Sequence, residues 1–282
     1  MTNEKVLRMT VDDLIVYGKA HCHSDHVKLL LGDLLNLNPL ELLNHLNDQV
    51  EEEKVEKFKN EIKSLEENKP LQYVIGNINF YGNNYIINEN VLIPRFETEE
   101  LVDNTIKYIK EIFKSEKIRI LDIGCGSGVI GLSLKKTFPN SEVDLIDISS
   151  KALEVAKLNA EKLNLEVNFI ESDVFEKIKE KYDVIISNPP YIKENEEIEK
   201  IVKDNEPHIA LYGGEDGLDI YRKIINNIKN HLNSKFLISF EIGMSQKNDI
   251  ENLLKHNLEN IKIISKKDLS ERDRMIFAYK CE

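Results

Sequence analysis

The sequence predicts an α/β protein, a doubly wound and mostly parallel sheet preceded by a small all-α domain. Three observations predict it. After Leu92-Ile93-Pro94, short apolar runs alternate with helix-length segments, the pattern of a parallel sheet with helices on both faces. Before that point, apolar residues recur at helical spacing. Between the two, Ile78-Asn79-Phe80-Tyr81, Gly82-Asn83-Asn84 and Tyr85-Ile86-Ile87 read as a β-hairpin linker. The expected limits are 1–72 for the helical domain, 73–93 for the hairpin and 94–282 for the α/β domain.

Helical spacing runs from about Val6 to Leu65. Leu14, Tyr17 and Gly18 share one stripe. Val27, Leu30, Leu31 and Leu34-Leu35 form a second, opened by Ser24-Asp25 as the expected N-cap. Leu40, Leu43 and Leu46 make a third, and Glu51 to Glu67 is a charged amphipathic helix stopped by Pro70. The second domain reads as helix Glu97–Phe113, strand Ile118–Ile123, helix Ser127–Lys136, strand Glu142–Ile146 and helix Ser149–Leu163. Further apolar runs follow at Glu166–Ile170, Tyr182–Ile186, Phe236–Glu241, Ile261–Ile264 and Met275–Tyr279.

At 282 residues and 41% hydrophobic content the chain supports two domains with real cores. No run is long enough to span a bilayer. Met1-Thr2-Asn3-Glu4-Lys5 lacks the charged-then-apolar pattern of an export signal, so the expectation is a cytoplasmic protein. Cys22, Cys125 and Cys281 are scattered and read as reduced thiols. A net charge of −12 opposes a large nucleic-acid footprint. His21-Cys22-His23 with His26 could gather a metal, but it matches no structural zinc spacing and reads as a polar helix start; no metal is expected.

Chemistry concentrates at strand ends. The strand Ile118–Ile123 runs straight into Gly124-Cys125-Gly126-Ser127-Gly128, where glycines allow a tight turn and close backbone approach to a ligand. The spacing is G-x-G-x-G, not the G-x-G-x-x-G of a dinucleotide pyrophosphate site. The next strand ends at Asp147, placed to accept from two ribose hydroxyls, and a third leads to Asp173-Val174, where an adenine edge could bind. A ribose and adenine without a pyrophosphate fit S-adenosylmethionine. Cys125 has no base beside it and reads as a small residue tolerated by the turn.

The run Val184-Ile185-Ile186-Ser187 ends in Asn188-Pro189-Pro190-Tyr191. Neither proline has an N–H, so this loop offers carbonyls and the Asn188 side chain but few donors. Such a loop suits a substrate –NH2 group, whether on adenine or on an amide, although alone it also suits a rigid turn.

Together these residues resemble the class I methyltransferases, and more narrowly the N5-glutamine methyltransferases of the HemK/PrmC type. The similarity extends to Pro70-Leu71-Gln72-Tyr73-Val74-Ile75-Gly76, Ile93-Pro94-Arg95-Phe96-Glu97-Thr98-Glu99-Glu100-Leu101, Glu206-Pro207, Gly213-Gly214-Glu215-Asp216-Gly217-Leu218, Phe240-Glu241-Ile242-Gly243 and Arg272-Asp273-Arg274. The resemblance implies a Rossmann-like methyltransferase sheet with an antiparallel last strand. It also implies methylation of the glutamine in the Gly-Gly-Gln loop of class I peptide chain release factors, gripped by the helical domain. The protein would act as a monomer, without direct nucleic-acid or membrane contact.

By the same resemblance, Gly124, Gly126, Gly128, Asp147, Val174 and Asn188 would hold the cofactor, and Cys125, Ser127 and Asp173 are expected beside them in the same strand-end loops. Asn188, Pro189 and Tyr191 would carry catalysis, and Pro190 would join them around the substrate amide. Arg95 and Glu97 would border the substrate, although Glu97, Glu99 and Glu100 equally suit the first turn of a helix. Phe96 departs from the family's usual proline, and Val174 from an aromatic in some members. Two rivals remain: adenine-N6 methylation, which shares the Asn188 loop but wants a basic, aromatic recognition region, and a catalytically dead accessory subunit.

Overall fold

A computed structural model describes residues 8–114 and 117–281. The expected helical start at Val6 and the residues Met1 to Lys5 lie outside the described residues. The chain forms two compact units, Met1–Gly76 with Lys200–Asn205, and Asn77–Glu199 with Glu206–Glu282.

The first unit contains α1 (Val11–Lys19), α2 (Ser24–Leu35), α3 (Pro39–Asn44), α4 (Glu52–Glu66) and α5 (Leu71–Ile75), together with the segment Lys200–Asn205, a short helix that is α9 in chain order. Thr10 and Asp13 close α1 with a reciprocal capping box, and Asn38 and Glu41 do the same for α3. Leu14, Val27, Leu30, Leu31, Phe58 and Ile62 build its core. Two expectations change here. His23, not Ser24-Asp25, caps α2, because the backbone is still extended at His23 and its Nδ1 accepts the Asp25 N–H. Leu42 fills the core of α3 while Leu40 and Leu43 are 76% and 61% exposed, because Pro39 and the Asn38 cap fix where this short helix starts. His21 pairs with Glu66 through Nδ1 at 2.9 Å.

In the second unit, β1 (Asn77–Phe80) and β2 (Asn83–Ile86) form the hairpin, and α6 (Phe96–Phe113) follows. The connection is Tyr81-Gly82, not Gly82-Asn83-Asn84: both residues have positive φ (45° and 72°), as a two-residue turn matched to strand twist requires. The Tyr81 N–H donates to Glu99 Oε1 at 2.8 Å, which anchors the turn on α6.

The remaining elements are β3 (Arg119–Ile123), α7 (Val129–Thr137), β4 (Glu142–Asp147), α8 (Ser150–Leu163), β5 (Asn168–Glu171), β6 (Tyr182–Ser187), α10 (His208–Leu211), α11 (Asp219–Ile228), β7 (Leu232–Glu241), α12 (Lys247–Asn257), β8 (Lys262–Lys267) and β9 (Asp273–Lys280). Seven strands make one sheet in the order β5-β4-β3-β6-β7-β9-β8, parallel except for β9, which runs against both neighbours. Successive strand residues alternate faces. Ile120, Val184, Ile186 and Leu237 pack with α6, α7 and α8, whereas Leu121, Ile185 and Ile238 pack with α11 and α12. Strand order reverses between β3 and β6, which makes a topological switch point there.

Candidate active site

The carboxyl ends of β3, β4, β5 and β6 open onto one cavity at this switch point. The last register pair between β3 and β6 is Ile123 with Ser187, so Gly124 and Asn188 leave the sheet side by side. Ser187 Oγ donates to the Ile123 carbonyl at 2.7 Å and fastens the two strand ends together.

Gly124, Gly126 and Gly128 all have positive φ, where a side chain is strained. A Cβ on Gly124 or Gly126 would meet nothing within 4 Å, and both residues line the cavity. On Gly128 it would press on the Ala156 Cβ of α8 at 3.2 Å. The first two glycines therefore leave room for a ligand, and the third lets α7 start against α8, two residues later than the expected Ser127.

Asp147 braces this loop. Its Oδ2 accepts the Gly126 N–H and its Oδ1 the Ser149 N–H, each at 2.9 Å. A carboxylate has about four lone-pair sites, so Asp147 keeps acceptor capacity beyond its backbone donors. Burial pushes the Asp147 carboxyl up, and the backbone donors from Ser149 and Gly126 oppose that shift. Behind the loop, fully buried Asp122 accepts the Gly131 N–H through Oδ2 at 2.9 Å, while its Oδ1 has no partner among the described residues. Burial pushes Asp122 up to about 7. Burial, with the Asp122 and Asp147 charges, drives the Cys125 thiol well above its ordinary value, which removes it as a nucleophile.

At the end of β5, Val174 has φ 51°, a strained conformation for a β-branched residue. Ser172 Oγ donates to the Val174 carbonyl at 2.9 Å and helps hold it. The Asp173 carboxylate accepts from Lys223 of α11, so it reaches the cavity already paired.

Asn188 Nδ2 donates to Thr98 Oγ1 at 3.3 Å, which leaves Oδ1 as the side-chain acceptor for an incoming N–H. The loop backbone is fixed from behind. Gln246 Nε2 donates to the carbonyls of Tyr191 and Gly217, both at 3.0 Å, and a Cβ on Gly217 would collide with the Tyr191 carbonyl oxygen at 2.3 Å. Tyr191 is half-buried beside Glu241 and Arg274, and burial first, then the Glu241 charge, raises its phenol far above the ordinary range.

The cavity thus gathers Gly124, Cys125, Gly126, Ser127, Asp147, Asp173, Val174, Asn188, Pro189 and Pro190; Gly128, Tyr191, Arg95 and Glu97 are not among its lining residues. Arg95 Nη2 is committed to Glu206 Oε1 at 2.5 Å, and Glu206 Oε2 also accepts the Ile93 N–H at 3.1 Å. Glu97 lies in the first turn of α6. Sequence reasoning missed Thr98 and Lys223 on the cavity wall, and Glu206, Glu241 and Asn159 behind it. Thr98, Glu206 and Glu241 stood inside segments that resemble the HemK/PrmC type, but their partners are too distant in sequence to be read from it.

Residues 23–76 match the PrmC N-terminal domain and residues 96–210 the methyltransferase small domain. The release factor glutamine methyltransferase of Bacillus cereus is 40% identical over 256 residues, covering 89% of this chain and 90% of its own length. The chain belongs to the release factor glutamine methyltransferase family. The enzyme of that name from Flavobacterium psychrophilum is 43% identical over 218 residues, covering 75% of this chain and 76% of its own. A methyltransferase from Pyrococcus furiosus shares the fold of this family member at TM-score 0.53 and 19% identity, covering 71% of this chain and 89% of that one.

Proposed function

We propose that this protein transfers a methyl group from S-adenosylmethionine to the side-chain amide nitrogen of the glutamine in the Gly-Gly-Gln motif of class I peptide chain release factors. The observation that carries the transfer chemistry is the Ile123–Ser187 register, which sets a ligand cradle at Gly124 beside an acceptor loop at Asn188. The 40% identity to the Bacillus cereus release factor glutamine methyltransferase over 90% of its length supports the substrate.

The residues fit the cofactor. Gly124 and Gly126 leave the space, the remaining Asp147 lone pairs suit ribose hydroxyls, and Val174 and Ile148 supply apolar wall for a flat base. When bound, the cofactor supplies an electrophilic methyl group on a sulfonium centre. The protein's part is placement and electrostatics. A carboxamide nitrogen is a poor nucleophile because its lone pair is shared with the carbonyl. Asn188 Oδ1 and the Pro189 carbonyl each accept one of its N–H groups, which aims the nitrogen face at the methyl and stabilises the positive charge that develops there. Holding the reacting atoms about 3–3.5 Å apart supplies much of the remaining advantage. The amide nitrogen would gain the methyl as the sulfur–carbon bond breaks, the sulfonium leaving as a neutral thioether, and would lose one proton to solvent, so no strong base is required.

The match of residues 23–76 to the PrmC N-terminal domain supports the assignment of the first unit to release-factor recognition. The acidic balance of −12 supports a protein target over a nucleic acid, and action as a monomer in the cytoplasm completes the proposal. Among the described residues no helix is long and apolar enough to cross a membrane. Incubation with labelled methyl donor and release factor, a Gly-Gly-Ala factor variant or unmethylated DNA tests the assignment. Label is expected only on the unaltered factor; label on DNA would shift the assignment to adenine.

A further inference from the structure

Three side chains from three elements form a directional hydrogen-bond chain beneath the acceptor loop. Thr98, in the first turn of α6, donates from Oγ1 to Oε2 of Glu241, the last residue of β7, at 2.7 Å. Both residues are buried, at 3% and 1% exposure, so bulk water has little access to that bond. A hydroxyl has one proton. Once Thr98 gives it to Glu241, Oγ1 can only accept, and the group it accepts from is Asn188 Nδ2.

This direction decides what the substrate meets. The oxygen and nitrogen of an asparagine amide are nearly the same size, so hydrogen bonds rather than shape choose which one faces the cavity. If Thr98 instead donated to Asn188, it would draw Oδ1 to itself and turn the NH2 outward, donor against donor with an incoming amide. Resting on the functional reading above, we propose that Glu241 is a positioning residue which, through Thr98, holds the Asn188 amide with Oδ1 towards the methyl acceptor.

The surroundings keep Glu241 poised for this role. Arg274 of β9 donates to the Tyr191 hydroxyl at 3.3 Å and lies against Asp268, while the Tyr191 hydroxyl reaches Glu241 Oε1 at 3.5 Å. Tyr221 of α11 donates to the Glu241 backbone carbonyl at 2.6 Å, and Glu97 of α6 adds a like charge. Burial pushes the Glu241 carboxyl up to about 7; Thr98 and Arg274 pull it down, and Glu97 pushes it up. A proton on Oε2 would turn Glu241 into a donor towards Thr98, freeing the Thr98 proton for Asn188 and reversing the chain. The loop's acceptor character is therefore lost as pH falls through about 7.

Side-chain amide NMR on the 15N-asparagine-labelled full-length protein reads the orientation without substrate, with Asn188→Asp used to assign the signal. The Asn188 NH2 pair is expected to titrate near neutrality in the wild type and to stop titrating in Thr98→Val and Glu241→Gln. Turnover with release factor is measured beside it. Thr98→Val should lower kcat about 10- to 100-fold, the scale of one lost charge-stabilising partner or somewhat less, and flatten its pH dependence. Cofactor affinity by calorimetry should stay within about threefold, and Thr98→Ser should restore most of the rate. A wild-type Asn188 signal that does not move between about pH 6 and 8, or one that moves alike in Thr98→Val, overturns the relay even if methylation of the factor is normal. Absence of methylation with a normal titration overturns the substrate assignment alone. Should Glu241→Gln fail to fold, the Thr98 pair decides.

Discussion

At the scale of single residues, the proposed site would divide its work between groups that meet ligands and groups that aim them. In the proposed reading Asn188 would receive the acceptor amide, so Asn188→Ala should lower the methylation rate by roughly 10²–10³ while release factor still binds. A binding assay run beside turnover checks both halves. Asp147 sits on the cofactor side and ties the glycine loop to β4. Asp147→Ala should mainly weaken cofactor affinity, by about tenfold or more for the loss of charge-assisted hydrogen bonds, and isothermal titration reads it directly. Asp122 carries a pH signature of its own. Its folded value, about 7, stands above its ordinary 3.8, so the stability it contributes is full below the carboxylate range and is lost as pH rises through about 7. Thermal melts of Asp122→Asn should show a smaller fall in Tm between about pH 4 and 7 than the wild type. Asn188, Asp147 and the glycines were legible because each is a residue type whose chemistry shows at a strand end. Thr98 and Glu241 were not, since a threonine in a helix start and a glutamate in an apolar strand acquire meaning only when α6 and β7 meet.

At the scale of elements, the hairpin is part of the site's scaffold. Asn159 of α8 accepts the Ile86 N–H at 2.6 Å and donates to the Ile86 and Ser127 carbonyls, both at 2.9 Å, so one buried side chain joins β2, α8 and the glycine loop. Tyr85 adds a buried hydrogen bond to Ser133 of α7 at 2.9 Å. Asn159→Ala would remove the partner of three backbone groups, the Ser127 carbonyl buried and the Ile86 pair half-buried, and should destabilise by roughly 2 kcal/mol, read as a shifted denaturation midpoint. Strands β6 and β9 were legible from unbroken apolar runs, Val184-Ile185-Ile186 and Met275 to Tyr279, as strands buried on both faces should be. The hairpin turn was misread because tyrosine at positive φ is not a turn signal; its ties to Glu99 and Asp103 of α6 help hold it there. The helices between β6 and β7 were illegible individually. Their segment is rich in charge and glycine, and α10 has only four residues.

At the scale of the whole molecule, the topology explains why donor and acceptor loops coincide. Parallel pairing of β3 with both β4 and β6 brings the chain's two most chemically distinctive loops to the one crevice where strand order reverses. The alternation of apolar runs and helices foretold the sheet, while the single reversed strand, β9, came from family resemblance and not from its own residues. The most direct measurement is mass-spectrometric mapping of a release factor after incubation with this protein and S-adenosylmethionine. One methyl group on the glutamine of the Gly-Gly-Gln peptide, absent when Asn188→Ala replaces the wild type, is the predicted result. An unmodified glutamine, or a methyl group on another residue, would contradict the account.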